Sequence, residues 1–282
     1  MKAVDCNLGR RRVLAGAAAG IAGLALMPAA LVSAGGPATP IRLALQGYCL
    51  KELNLEELLE AAQAMGVRHL ELFDRQWSVF LGEAERRRVR GLIDDAGIQV
   101  PATYTEYFLP ERARNGPILD FGEAMGLEFF SCRPTEETLN LLNEQVADRG
   151  VGIALHNTSP GADQAFVTLA EVEQALDRWS HIDACVDVGN FARAGVEPVA
   201  ALRRLRGRIR EVHIKDVAVT GATAPLGEGV LDLAGIVREL RTSEFKGLLT
   251  LEQTGGADAL AQRQEELAES FRQLRRWTRL EG

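Results

Sequence analysis

From residue 41 onward the chain repeats one pattern eight times: a short apolar run, then an amphipathic stretch. The runs are "IRLALQG" (41–47), "VRHLELF" (67–73), "IQVPATY" (98–104), "LEFFSC" (127–132), "VGIALHN" (151–157), "DACVDVGN" (183–190), "IREVHIKD" (209–216) and "GLLTLEQ" (247–253). Each is rich in β-formers and short enough for a strand. The stretches between them, such as 54–66, 135–150 and 168–180, carry apolar residues at helical spacing, and 257–279 reads as the eighth helix. Gly66, Gly97, Gly126 and Gly150 stand just before the next run, where a helix C-terminus is expected. Eight such units in roughly 240 residues predict an α/β chain folded as a single-domain (β/α)8 barrel over 41–280, since a doubly wound sheet more often has about six. No glycine-rich phosphate fingerprint follows the first run, and no linker divides the chain.

Strand parity then sorts the side chains. In the fifth run Val151, Ile153 and Leu155 oppose Gly152, Ala154 and His156. In the sixth Ala184, Val186 and Val188 oppose Asp183, Cys185 and Asp187. The seventh sets Val212 and Ile214 against Glu211, His213 and Lys215, and the eighth sets Leu249 and Leu251 against Leu248, Thr250 and Glu252. The bulky parity suits the layer covered by helices, so the small and polar parity should point into the barrel. His156, Asp187, His213 and Glu252 then lie at the C-terminal ends of four successive strands, the end where barrels of this kind keep their active sites.

Alone, a strand histidine is usually a hydrogen-bonded structural residue, and a strand-end carboxylate is usually a cap. Four at matching positions point instead to one divalent metal, and the mixed N/O set suits Mn, Co, Fe or Zn. Lys215 shares the parity of His213. Gln46 and Glu71 face inward on the first two strands and, with Asn157, are candidates to bind substrate hydroxyls or carbonyls. For Glu71 the alternative is a structural carboxylate held by backbone donors or by Arg42. Glu228, in "PLGEGVLDL" (225–233), belongs either to a tight structural turn or to a loop covering the substrate.

Residues 9–34, "GRRRVLAGAAAGIAGLALMPAALVSA", combine a basic start, a long apolar stretch and a small-residue end. This order resembles a twin-arginine export signal over 1–34, with a retained N-terminal membrane anchor as the alternative. It implies the twin-arginine export machinery as a partner and a periplasmic or otherwise exported mature protein. Removing that segment, which carries a net +3, takes the formal charge from −7 to about −10. So acidic a chain disfavours nucleic acid and anionic membranes as partners. Of the four cysteines, Cys6 would leave with the 1–34 segment; the remaining Cys49, Cys132 and Cys185 are odd in number and far apart, which argues for buried thiols over a disulfide framework.

The segments "ALHN", "CVDVGNFARAG", "VHIKDV", "PLGEGVLDL" and "LTLEQTG", in this order and spacing, resemble the xylose isomerase-like TIM-barrel family of sugar phosphate isomerases and epimerases. The resemblance covers 41–280. It implies a single divalent ion, commonly Mn, Co, Mg or Zn, with His156, Asp187, His213 and Glu252 as ligands. In ketose epimerases of this group the first ligand position is usually Glu, and that Glu and the last one exchange protons next to a carbonyl. Here the first position is His156, as in a branch reading "HNH", with Thr158 in place of the second His. An imidazole bound to metal has no lone pair left for a proton, although His156 remains among the catalytic candidates together with Glu252 and Lys215.

These observations lead to an expected metal-dependent isomerase or epimerase of a sugar or sugar-like carbonyl compound. The alternative is a lyase that removes the aglycone of a 3-keto-glycoside by β-elimination, which needs only one base and a metal. A non-catalytic sugar-binding protein would not need the four-residue set. A nuclease of the related endonuclease IV group would need more histidines and a basic face. Strand-end Arg and Lys residues form no evident cluster, which argues against a phosphorylated substrate. The sequence is compatible with an oligomer.

Overall fold

A computed structural model describes residues 41–161, 165–253 and 259–278. The segment 1–34, read above as an export signal, lies outside them. Eight parallel strands close into a barrel: β1 (Arg42–Gln46), β2 (His69–Phe73), β3 (Gln99–Tyr104), β4 (Phe129–Cys132), β5 (Gly152–His156), β6 (Ile182–Asp187), β7 (Ile209–Ile214) and β8 (Leu248–Leu251). Each pairs with its neighbours in sequence, and β8 closes on β1 through Arg42 opposite Leu248. The expected (β/α)8 barrel is therefore the fold, and the chain forms one barrel domain.

The helices are α1 (Leu55–Ala64), α2 (Glu83–Asp95), α3 (Arg112–Met125), α4 (Glu136–Gln145), α5 (Leu169–Arg178), α6 (Val188–Arg193), α7 (Pro198–Arg204), α8 (Leu233–Thr242) and α9 (Leu260–Thr278). Asn54 with Glu57, and Thr168 with Glu171, form reciprocal capping boxes that start α1 and α5. Among the described residues no helix is long and apolar enough to cross a membrane.

Two boundaries differ from the sequence expectation. The run 183–190 stops being a strand at Asp187, whose carboxylate accepts from the Asn190 amide and so starts the one-and-a-half-turn α6. Gly66, Gly97 and Gly126 do take the left-handed conformation that follows a helix, but α4 already ends at Gln145, leaving Gly150 in the connection beyond it.

Parity divides the core into two. Leu45, Leu70, Leu72, Ile153, Val186, Val212 and Leu249 face outward and are buried beneath the helices, against residues such as Phe121 and Leu267. Inside the barrel a smaller cluster of Ala44, Ala102, Phe129, Ala154, Cys185 and Leu248 fills the space. Burying each large side chain contributes on the order of 2 kcal/mol, so this packed plug is a stable floor. Cys49, Cys132 and Cys185 are buried free thiols, and burial raises the thiol of Cys49 to about 12.

Candidate metal centre and active site

Above that floor, a cavity of about 600 Å³ opens at the C-terminal ends of the strands. Its wall from β5 to β8 carries the four residues picked out by parity. His156, Asp187, His213 and Glu252 each offer one ligand atom, all within 4.8 Å of one another. His156 and Asp187 are the last residues of β5 and β6, His213 is the penultimate residue of β7, and Glu252 directly follows β8. Register explains the convergence, since His213 lies opposite Asp187 on one side and Thr250 on the other.

Hydrogen bonds fix how these groups point. His156 Nδ1 lies 2.8 Å from the Asn157 carbonyl, which can only accept, so this nitrogen carries the hydrogen and Nε2 presents its lone pair. Burial first, then the charge of His213, lowers the His156 pKa to about 4, keeping the ring neutral. His213 Nε2 donates to Glu71 Oε2 at 2.8 Å; Glu211 Oε2 lies 3.4 Å away and is not hydrogen-bonded. Its Nδ1 is turned to the cavity, 3.1 Å from His156 Nε2 and 2.9 Å from Glu252 Oε2. A buried carboxylate behind a ligand histidine is the arrangement that orients and strengthens a metal-binding imidazole.

The charge of this wall tests whether a cation fits. Asp187 Oδ2 and Glu252 Oε2 meet the Lys215 ammonium at 2.9 and 2.6 Å. Burial alone would lower the Lys215 pKa, but Asp187 and Glu252 outweigh it and hold the lysine charged. Burial would likewise raise Glu252, yet Lys215 and His213 hold it well below the usual carboxylate range. Lys215 thus stands on the two carboxylate oxygens that a divalent ion would bind, and the mixed N/O donor set is one that suits such an ion once the ammonium gives way. A proton on His213 Nδ1 would compete for the same lone pair, so occupancy would be pH-dependent.

One glycine makes this wall possible. A Cβ on Gly189, in the first turn of α6, would lie 2.6 Å from Lys215 Cδ and 2.7 Å from Cγ. The lysine stem therefore crosses α6 where only glycine leaves room. Through this contact "DVGN" and "HIKD" act together: one supplies Asp187 and the gap, the other His213 and the lysine.

The remaining sequence candidates fall in different places. Gln46 lines the cavity, with Oε1 accepting from the Tyr48 amide. Asn157 does not line it; its carboxamide accepts from the Asp187 amide at 2.7 Å and donates to the Asp187 carbonyl at 3.1 Å, fastening β5 to β6. Glu71 is fully buried behind His213, where it also accepts from the Ser131 hydroxyl. Burial and then the charge of Glu211 raise its pKa to about 7. Its expected alternative partner Arg42 stands at the other end of the barrel on Glu128. Glu228 is exposed in the turn after β7 and is not among the residues lining the cavity. That turn wraps the carboxylate of Asp216, which accepts from the amides of Gly227, Gly229 and Leu231 at 2.9 to 3.2 Å.

The opposite wall, from β2 to β4, was missed by the sequence reading. Asp74, Tyr104, Glu106 and Arg133 line it, and Arg193 of α6 stands at the mouth. Arg133 donates to the Tyr104 hydroxyl at 2.6 Å and pairs with Glu106, and burial is outweighed by these partners so that its pKa rises. Two guanidiniums therefore reach the cavity as well as Lys215, where the sequence shows no evident cluster of Arg and Lys at the strand ends. Tyr104 shares the inward parity of Ala102 and was legible on that basis; the others lie beyond their strands, where parity no longer applies.

A family model described as xylose isomerase-like TIM barrel matches residues 132–277. An inosose dehydratase of Bacillus cereus (strain AH820) is 25% identical over 134 residues, covering 40% of this chain and 44% of that protein. The chain thus spans less than half the length of that curated relative. Among solved structures, 3-keto-D-glucoside 4-epimerase YcjR from E. coli superposes with a TM-score of 0.67 at 18% identity, covering 82% of this chain and 99% of the other. D-psicose 3-epimerase, solved in the presence of D-fructose, gives 0.71 at 12% identity over 84% and 99%. At these identities the structural likeness speaks for the fold.

Proposed function

Because the chain belongs to the xylose isomerase-like TIM-barrel family, we propose that it is a metal-dependent isomerase or epimerase that moves a proton next to the carbonyl of a sugar or sugar-like compound. The observation that carries this reading is the convergence of His156 Nε2, Asp187 Oδ2, His213 Nδ1 and Glu252 Oε2 at the cavity. A divalent ion held there would polarise a carbonyl and stabilise the enediolate. Among this chain's own groups, Lys215 stays protonated and supplies charge to the developing oxyanion. Glu252, whose Oε2 is committed to Lys215 and His213, takes the substrate proton. His156, with Nδ1 bonded to a carbonyl and Nε2 facing the metal position, serves as a ligand. Gln46 contacts substrate hydroxyls.

A second reading, a lyase that eliminates the aglycone of a 3-keto-glycoside, is favoured by His156, which stands on β5 where a two-carboxylate epimerase has its other base. Incubation with a methyl 3-keto-D-glucoside separates the two, since only the lyase releases methanol. Metal analysis of the purified protein beside His213→Ala and Glu252→Ala tests the shared centre: both substitutions should lower metal content severalfold, and unchanged content in both overturns it. We also propose export through the twin-arginine pathway; replacing Arg11 and Arg12 by Lys should retain the protein in the cytoplasm, and continued export overturns that.

A further inference from the structure

Of the cations that line the cavity, Lys215 stands on Asp187 and Glu252, and Arg133 pairs with Glu106. Arg193, the last residue of α6, has no carboxylate partner among the described residues. Asp74, the cavity carboxylate that likewise has no basic partner among them, follows β2, four strands round the closed ring from β6. We propose that Arg193 binds a carboxylate of the substrate, so that the sugar-like compound taken by this site is a sugar acid. This rests on the proton-transfer reading above, whose substrate class it narrows.

The guanidinium is held in place by neutral acceptors. Its Nε donates to the Gly221 carbonyl at 2.8 Å, one terminal nitrogen donates to Asn190 Oδ1 at 3.1 Å, and the other donates to the Thr223 hydroxyl at 3.2 Å. Gly221 and Thr223 belong to the hairpin after β7, in which Asp216–Val217 pairs with Thr223–Ala224. Asn190 is itself fixed, accepting from the Ser159 hydroxyl and donating to the Asn157 carbonyl and to Asp187 Oδ1. These contacts use three of the five N–H donors that a guanidinium carries. The two that remain are one on each terminal nitrogen, and the two oxygens of a single carboxylate can accept both.

Charge selects the ligand more narrowly than hydrogen bonding does. Substrate hydroxyls would fill the two donors, but only an anion also answers the charge of a half-buried guanidinium whose partners are all neutral. Arg133 is the compensated case, since Glu106 already supplies its counter-charge. A phosphate brings more oxygens and more charge than one guanidinium with two open donors meets, whereas one carboxylate matches it in both. The partners of Arg193 include none of His156, Asp187, His213 and Glu252, so the carboxylate it takes stands apart from the carbonyl that reacts. Fixing the acid at one end and the carbonyl at the other sets which carbon is presented to Glu252.

The test titrates the full-length metal-loaded protein and its Arg193→Met and Arg193→Lys variants by calorimetry with three ketoses. These are D-fructose, D-fructuronate, which carries a carboxylate in place of the terminal CH2OH, and D-fructose 6-phosphate. The parent should bind D-fructuronate about 10-fold or more tighter than D-fructose, the scale of charge-assisted hydrogen bonds. Arg193→Met should bring the two within about threefold of each other, and Arg193→Lys, which keeps the charge and loses the fork, should fall between. No preference in the parent overturns the proposal, and so does a preference that survives Arg193→Met, which would put the carboxylate elsewhere in the cavity. A stronger preference for the phosphate ester, removed by Arg193→Met, would make Arg193 a phosphate site and also overturns it. Because Arg193→Met loosens the hairpin as well, a measurement on the parent stands beside it. The Arg193 Nε–H NMR signal, assigned by its absence in Arg193→Lys, should shift with D-fructuronate and hold still with D-fructose; a signal that ignores both overturns the role of Arg193. Hydrogen exchange of the ketoses in D2O checks the reading beneath: an Arg193-dependent preference without exchange from any ketose supports the carboxylate site and overturns proton transfer.

Discussion

The two walls of the cavity are built on opposite terms. From β5 to β8 the groups that line the cavity are tied to one another: His156 to His213, His213 to Glu71 and Glu252, Lys215 to Asp187 and Glu252, and Asp187 to Asn190. These side chains are buried or nearly so. From β2 to β4 the groups are half-exposed, the one ion pair leaves Glu106 55% exposed, and Asp74 keeps an oxygen without a donor. The difference is between a preorganised electrostatic framework and a surface that still has bonds to make. Chemistry that must not wait for reorganisation belongs on the first, and groups that meet a changing substrate belong on the second.

The largest effect expected from this contrast concerns stability. Lys215→Met strands the Asp187 and Glu252 carboxylates in a buried site and should destabilise the protein by about 3–5 kcal/mol, as removing one partner of a buried pair does. Arg133→Met on the other wall breaks a pair open to solvent and should cost under about 1 kcal/mol. Denaturant titration of both variants without added metal checks this. Equal losses would break the distinction between the walls.

Gly189→Ala should have the next largest effect. The added Cβ meets the Lys215 stem close to the backbone rather than at its mobile end, so the lysine must leave one of its two carboxylates or α6 must shift. Overpacking of this kind costs on the order of 1–3 kcal/mol. Metal content should change together with stability, because Asp187 and Glu252 lose their common partner. A variant with parental stability and metal content would show that the lysine path over α6 has slack.

How legible each wall was in the sequence follows from the same geometry. Alternation along a strand is local, so β5 to β8 yielded His156, Asp187, His213 and Glu252 directly, and the eightfold repeat yielded the barrel. Parity gives a face and not a height. Glu71 points inward as expected, yet stagger between tilted strands sets it opposite Ala102 and Gln46, a level at which it supports His213 from behind. Asn157 was read as a substrate contact because it ends a strand; its partner is the Asp187 backbone, a contact between neighbouring strands that one run cannot reveal. Asp74, Glu106 and Arg133 lie one or two residues past their strands, where chain direction depends on loop packing. Nothing in their spacing marks them.

The smallest expected effect is the one with opposite signs on the two walls. Burial would raise Glu252, but Lys215 and His213 hold its folded pKa well below 4.5. Its contribution to stability is therefore present above pH 4.5 and is lost as pH falls through the folded value. Asp74 behaves in reverse. With its folded pKa raised from 3.8 to about 6, the native protein keeps a proton that the unfolded chain releases across that window. Stability from this residue falls as pH rises from 3.8 to about 6 and is level above. Asn imitates the protonated side chain, so Asp74→Asn should be more stable than the parent at pH 7, with the advantage shrinking through pH 6 and gone near pH 4. Denaturant midpoints for both proteins across that range measure it. A difference independent of pH would mean that Asp74 titrates alike in the folded and the unfolded chain, and that burial on this wall carries no penalty for its charge.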